Sequence, residues 1–416
     1  MSLDDVDLYD PATQENWYPA YDRIREDAPV YRVPGTNMYI LSRYEDVAFV
    51  SRRTDIFLNG PASSDALVQD EEALQIFRTQ GRPRRSVLGV DPPMHRRYRD
   101  LVDPFFNPKG AEVQRARITR IVHDLVDSWI DRGEIEFVAA FAEPLPVRII
   151  TEMLGFDAAD IPRLKRWSEA WVMPFAGRLT PEQQRYVAAQ GVEFQHHILA
   201  TIAAKRQHPD DSVISSLAHA TLEATDGARP LSDDEVLNCT DHLYIGGNET
   251  TTFALTSGLW LLLQRPDVEA RLRHDTSRIP TFVEEVLRLE SPTQGLYRHN
   301  TEDVELHGVT IPAGSTVHMR FAAANRDHRV FPDPEHLDLD RKNAARHVAF
   351  GQGEHHCPGA GLSRLEQVTA FQVLLDRVAE WHLTPGRNDF RHKPGFVLRA
   401  LEELHVTFVP AGAGGG

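Results

Sequence analysis

The residues best suited to chemistry lie between His347 and Gly361, in the stretch His-Val-Ala-Phe-Gly-Gln-Gly-Glu-His-His-Cys-Pro-Gly-Ala-Gly. It carries Cys357, one of two cysteines in the chain, with Gly351, Gly353, Gly359 and Gly361 around it. Glycine allows tight turns and lets a backbone approach a flat ligand closely. The apolar residues that follow, Leu365, Val368, Phe371, Leu374 and Leu375, have helical spacing. Cys357 is therefore expected just before a buried helix, whose positive N-terminus tempers a thiolate.

Several chemistries suit such a loop. A glycine-rich turn before a helix can bind phosphate, but no Gly-Lys-Ser/Thr triplet follows. Glu354, His355, His356 and Cys357 could ligate zinc, yet no second CxxC or HxxxH pair completes a four-ligand set. A buried structural cysteine is the bland alternative. A lone thiolate can also hold haem iron on one face and leave the other open, where its electron donation favours O–O cleavage.

Three more stretches stand out. Ile245-Gly246-Gly247-Asn248-Glu249-Thr250-Thr251-Thr252 lies inside what reads as one long helix, from the Ser232 cap with Glu235 at N3 to Gln264 before Pro266. Two glycines and three threonines are a poor choice for a helix interior. They imply either a close helix crossing or a kinked segment lying over a ligand. Asp91-Pro92-Pro93-Met94-His95-Arg96-Arg97-Tyr98-Arg99 opens a helix with His95 and Arg99 on one face, which alone would read as a solvated basic face. Glu285 and Arg288, three apart, are neighbours on a further helix.

Taken together these stretches resemble the cytochrome P450 monooxygenases. Phe350-Gly351-x-Gly353-x-His355-x-Cys357-x-Gly359 is similar to that family's haem-binding signature, and Gly-Gly-x-Glu-Thr-Thr to its oxygen-activation motif. Asp-Pro-Pro-x-His-x-x-x-Arg resembles its propionate-binding helix, and Glu-x-x-Arg its ExxR motif. The resemblance implies Cys357 as the axial ligand of haem b. His95, Arg99, Arg298, Phe350, His355 and Gly359 would contact the cofactor. Thr250 and Glu249 would be the catalytic hydroxyl and acid, with Glu249 pointing away from the haem and relaying protons from solvent. Glu285, Arg288 and Arg341 would form a structural set. His242, Ile245, Gly246, Gln294, Phe396 and Val397 would line the substrate pocket, with His242 and Gln294 as polar anchors. Arg82, Arg84 and Arg85 could draw an anionic substrate, although a solvated basic loop is the plainer reading.

The elements that must position these groups are mostly helices. Periodic apolar residues predict helices over much of 94–290, and short strands are expected near Val30–Leu41, at 295–320 and at 396–409. Residues 54–90 read as irregular. The fold class expected is mainly α with small β regions, the cytochrome P450 fold with a long central helix over haem. A single haem domain over 1–410 with a disordered tail at 411–416 follows, since no linker divides the chain.

The 416 residues, 41% hydrophobic, can bury a large core, and the net charge of −16 argues against nucleic acid as the general partner. Two cysteines give no disulfide framework. The acidic N-terminus has neither a basic nor an apolar leader region, so a cytoplasmic protein without a membrane anchor is expected. The resemblance implies insertion of one oxygen atom of dioxygen into an organic substrate. NAD(P)H would supply electrons through ferredoxin and ferredoxin reductase, for which no flavin or iron–sulfur motif exists in this chain. Arg96, Arg97, Arg99, Lys109, Arg341, Lys342, Arg346 and Arg364 would form a basic docking patch. Peroxide-driven oxidation and a haem-based sensor are the alternatives, and Glu249-Thr250 counts against both.

Overall fold

A capping box starts the longest helix. Ser232 Oγ accepts from the Glu235 amide, and the Glu235 carboxylate accepts from the Ser232 amide. The helix runs unbroken from Asp233 to Leu263, about 47 Å at 1.5 Å per residue. Its buried residues fall on every face, so it passes through the core of the molecule and does not lie on its surface. The computed structural model describes residues 7–412 apart from 9, 60–67, 84–86, 176–178, 225–226 and 394.

Several helices pack against this central helix, among them Pro144–Leu154, Ile161–Val172 (the cover helix), Ile279–Leu289 (the clamp helix) and Ala360–Arg377 (the cysteine helix). The clamp helix is strongly two-faced, with Phe282, Val283, Val286 and Leu287 buried. Together they enclose the largest apolar core, which includes Trp129, Phe137, Phe141, Trp381 and Phe408.

The β regions expected separately join into one sheet. Its order is Val30–Arg32, Met38–Leu41, Thr316–Met319, Leu296–Asn300, Phe57–Leu58. Val30–Arg32 and Met38–Leu41 pair as a hairpin across Pro34-Gly35, with Tyr31 opposite Ile40. A second sheet contains His405–Pro410, near the predicted C-terminal strand.

The irregular reading of 54–90 is corrected. Glu71–Gln80 is a helix, with the Asp70 carboxylate accepting from the Ala73 amide and two glutamates in the first turn. Only Ala73 and Phe77 bury fully, so its apolar stripe is too narrow to read against the polar background. Arg84 and Arg85 lie outside the described residues, as does the tail from 413. Arg82 faces Asp234 at 3.9 Å. No helix among the described residues is long and apolar enough to cross a membrane.

Candidate active site

Cys357 sits three residues before the cysteine helix, in the wall of a cavity of 1720 Å³. The loop is held tightly. The Cys357 amide donates to Phe350 O at 2.9 Å, and Gly353 adopts φ +72° with room for no side chain, since a Cβ would come 2.4 Å from Ser51 O. Burial pushes the thiol above its ordinary pKa, while the Gly359 and Ala360 amides and the charges of Arg99 and Arg364 pull it back. A coordinating metal is what removes such a proton outright. Cys239 is different. It lies in the apolar core outside the cavity wall, and burial drives its pKa up to about 12.

The clamp helix fixes this loop from behind. Arg288 donates to Glu285 at 2.6 Å and 2.9 Å, both side chains being fully buried, and Arg341 Nε lies 3.0 Å from the same carboxylate. Remaining Arg288 donors reach the Asn325, Pro334 and His336 carbonyls. A buried ion set of this kind is tolerated when its donors and acceptors are met, and here the Arg288 donors all are, while Arg341 Nε makes an ion pair without hydrogen-bond geometry. A neighbouring clamp escapes sequence reading. Glu284 pairs with His347 at 2.9 Å, where the loop begins, and with Arg364 at 2.6 Å, just beyond it. Burial opposes the Glu284 charge, but these two hydrogen bonds outweigh it and bring the pKa down to about 2.

Beside the thiol is a group of basic side chains with little to neutralise them. Arg298 is buried, lines the cavity, and donates to the Tyr297 carbonyl; burial brings its pKa down to about 10 against a weak pull from Asp91. His355 is lowered to about 3, by burial first and then by His95, Arg298 and Arg99. The His95 ring lies 4.0 Å from that of His355, and its buried Nε2 has no partner. Arg99 reaches the cavity but is already engaged, by Asp103 at 2.6 Å and the His356 carbonyl at 2.8 Å. A dianionic ligand would relieve the group.

The two glycines of the central helix divide the two explanations open to them. A Cβ on Gly247 would meet Ile150 Cδ1 at 3.1 Å, so this glycine serves a close helix crossing. A Cβ on Gly246 would meet nothing within 4 Å, so this one leaves space in the cavity wall. The helix runs unbroken through this segment. Thr250 also lines the cavity, its hydroxyl donating to Gly246 O at 2.9 Å, which turns its lone pairs outward.

Glu249 corrects one expectation. It is buried and does not reach solvent. Its Oε1 accepts from Lys165 Nζ and Ser168 Oγ of the cover helix, both at 2.9 Å. Burial works against the Lys165 charge, but Glu249 and Glu143 overcome it and raise its pKa. Glu143, 3.0 Å from Lys165, is the more exposed end of this chain of groups.

His242, Ile245, Gly246, Phe396 and Val397 all line the cavity as expected. Gln294 does not. It is fully buried behind the wall, where its side chain donates to Ser291 O at 2.6 Å and its backbone bridges Val397 and Ala322. Its short distance along the chain from the cavity-lining Pro292 and Thr293 made it look available. Sequence reading missed Trp171, Phe175, Asp241 and Glu366, which do line the cavity. Burial holds the Glu366 carboxyl well above the usual carboxylate range, and its Oε2 has no partner. The basic patch also shrinks. Arg99, Arg341 and Arg364 are occupied by Asp103, Glu285 and Glu284.

Comparison with known proteins accounts for this arrangement. The family model for cytochrome P450 matches residues 163–404. The chain belongs to the cytochrome P450 family. It is 35% identical to mycinamicin IV hydroxylase/epoxidase of Micromonospora griseorubida, over 93% of this chain and 94% of that protein. It is 33% identical to the cytochrome P450 monooxygenase PikC of Streptomyces venezuelae, over 94% and 91%. Among solved structures it is similar to P450BioI in complex with an acyl carrier protein ligated to hexadec-9Z-enoic acid, with a TM-score of 0.84 and 30% identity over 96% of this chain and 99% of that one. Cytochrome P450 proteins are oxidoreductases that carry haem. The cavity fits that group, with a thiol at one side, the orphaned His95 Nε2 and under-neutralised Arg298 beside it, and glycines where a flat ring needs space.

Proposed function

We propose that this cytochrome P450 inserts one atom of dioxygen into a small to medium, largely hydrophobic organic substrate, by hydroxylation, epoxidation or dealkylation. The observation that carries this reading is that Cys357 and Thr250 line the same cavity from two different walls, with Gly246 open beside Thr250. At 1720 Å³ the cavity exceeds the roughly 300–1,000 Å³ usual for a single small ligand, which leaves room for a substrate beside a flat cofactor. The named activities of the relatives, hydroxylase and epoxidase, point the same way.

In this reading the Cys357 thiolate holds the iron of haem b, which supplies the redox chemistry on dioxygen. Arg298, His355 and His95 would hold its propionates, Arg99 would join them on exchanging its present partners, and Phe350 and Gly359 would pack against it. Ile245, Phe396 and Val397 exclude water and orient the substrate. Thr250 Oγ holds a proton donor over the gap left by Gly246. Protons reach that position from the more exposed Glu143 through Lys165 and Glu249. Electrons come from NAD(P)H through a ferredoxin and its reductase. Arg96, Arg97, Lys109, Lys342 and Arg346 remain for docking an acidic donor, although Arg96 also pairs with Asp100.

The test supplies ferredoxin, reductase and NAD(P)H to the haem-loaded protein and screens hydrophobic compounds for a Soret shift and for oxygenated product. Product that takes up labelled dioxygen at one atom per NAD(P)H is expected. Ligand-induced shifts with no product under any reductant would overturn the reading in favour of a haem-based sensor.

A further inference from the structure

The central helix presents two buried acids to the cover helix, and they are treated differently. Glu249 is neutralised by Lys165 at 2.9 Å. Asp241, 4% exposed and in the cavity wall, has no cation paired with it among the described residues. Its one hydrogen bond comes from the Trp171 indole, Nε1 to Oδ2 at 3.0 Å. An ionised carboxylate facing an apolar cavity is costly without a partner charge.

The surroundings indicate what that partner is. His242, the next residue, bonds through Nδ1 to Asn238 O at 2.9 Å. In the neutral ring this makes Nε2, facing the cavity, an acceptor. Asp241 and His242 thus offer acceptors, and the Trp171 indole donor is already used. Aromatic rings complete the wall. Trp171 and Phe175 lie 5.5 Å apart, centroid to centroid, and both line the cavity. A carboxylate flanked by aromatic faces is the environment that recognises an organic ammonium.

We propose that Asp241, with His242, Trp171 and Phe175, makes this cavity selective for substrates carrying a protonated or quaternary amine. The proposal rests on the monooxygenase reading, for which this cavity is the substrate site. The amine anchors at the cover-helix end and leaves the apolar remainder of the substrate to extend along Ile245 and Phe396.

The experiment measures calorimetric binding of decyltrimethylammonium and of 1-decanol to the haem-loaded protein, both below micellar concentrations. The quaternary probe keeps its charge at any pH and cannot ligate iron through nitrogen. Asp241→Asn keeps an acceptor for the Trp171 indole and removes only the charge. It is expected to weaken the ammonium probe by about tenfold or more, in line with the loss of a charge–charge attraction in a desolvated site, and to leave decanol within about twofold. Equal losses for both probes, or no loss for either, would overturn the proposal and leave Asp241 as a latch for the cover helix. Trp171→Phe offers a second arm should Asp241→Asn fail to fold. It breaks that latch but keeps an aromatic face and the charge, so the preference for the ammonium probe must survive, and its disappearance would count equally against the proposal. The reduced carbon monoxide spectrum of the same samples reports on Cys357 alone, so failure of the monooxygenase reading is seen separately.

Discussion

The two walls of the cavity are held by opposite means. The wall that carries Cys357 is tied down by groups whose partners are all internal. Glu285, Arg288 and Arg341 satisfy one another and nearby carbonyls, and Glu284 fastens both ends of the cysteine loop. The wall formed by the central and cover helices is joined by polar contacts, Lys165 and Ser168 to Glu249 and Trp171 to Asp241, of which Glu249, Trp171 and Asp241 line the cavity. Rigidity is placed where a cofactor must sit in one position. Exchangeable contacts are placed where a substrate must enter and protons must move.

The largest expected effect breaks the rigid side. Arg288→Ala removes the bidentate partner of the buried Glu285 and leaves Arg341 as its one remaining cation among the described residues, and should cost about 3–5 kcal/mol of stability. A chemical-denaturation midpoint that scarcely moves would mean that the clamp does not hold this wall.

The next largest sharpens the mobile side. Glu249→Gln should slow turnover about tenfold or more, with product per NAD(P)H nearly kept. Thr250→Ala should do the reverse, leaving substrate binding and electron uptake near normal while product falls and hydrogen peroxide rises. Identical kinetic signatures for the two variants would show that they do not occupy separate steps of proton transfer.

A smaller effect separates the walls by pH. Glu284 titrates near 2 in the folded chain against an ordinary value of 4.5. Its charge therefore stabilises the fold above about pH 4.5, and that contribution is lost as pH falls toward about 2. Wild type should lose stability over this window more steeply than Glu284→Gln, measured by denaturant midpoint. Parallel curves would remove Glu284 from the account.

The smallest effect separates two adjacent residues. Gly247→Ala pushes a Cβ to 3.1 Å from Ile150 and should cost stability by roughly 1 kcal/mol. Gly246→Ala meets no atom and should cost none, since alanine favours helix. It should instead change ligand affinity, which Soret titration would detect. Equal stability losses would assign both glycines to packing.

Sequence legibility follows the same division. Cys357, the Gly246-Gly247 pair and the Glu285–Arg288 spacing were readable because each packs an unusual local demand into a few consecutive positions. The partners Lys165 for Glu249, Trp171 for Asp241 and His347 for Glu284 lie 84, 70 and 63 positions away. Each is a common residue type whose role depends on which helices cross. Gln294 failed for a related reason, since it lies in the irregular link between the Thr293–Leu398 bridge and the strand that starts at Leu296, where the facing of a side chain depends on distant pairing. The helix at Glu71–Gln80 was hidden by its narrow apolar stripe.

The measurement that bears most directly on the account is the spectrum of the reduced carbon monoxide complex in wild type, Cys357→His and Cys239→Ala. Wild type and Cys239→Ala should both show the long-wavelength Soret band of a thiolate-ligated haem, and Cys357→His should lose it. A long-wavelength band that survives in Cys357→His, or vanishes in Cys239→Ala, would contradict the placement of the cofactor on the cysteine loop and with it the function built on that wall.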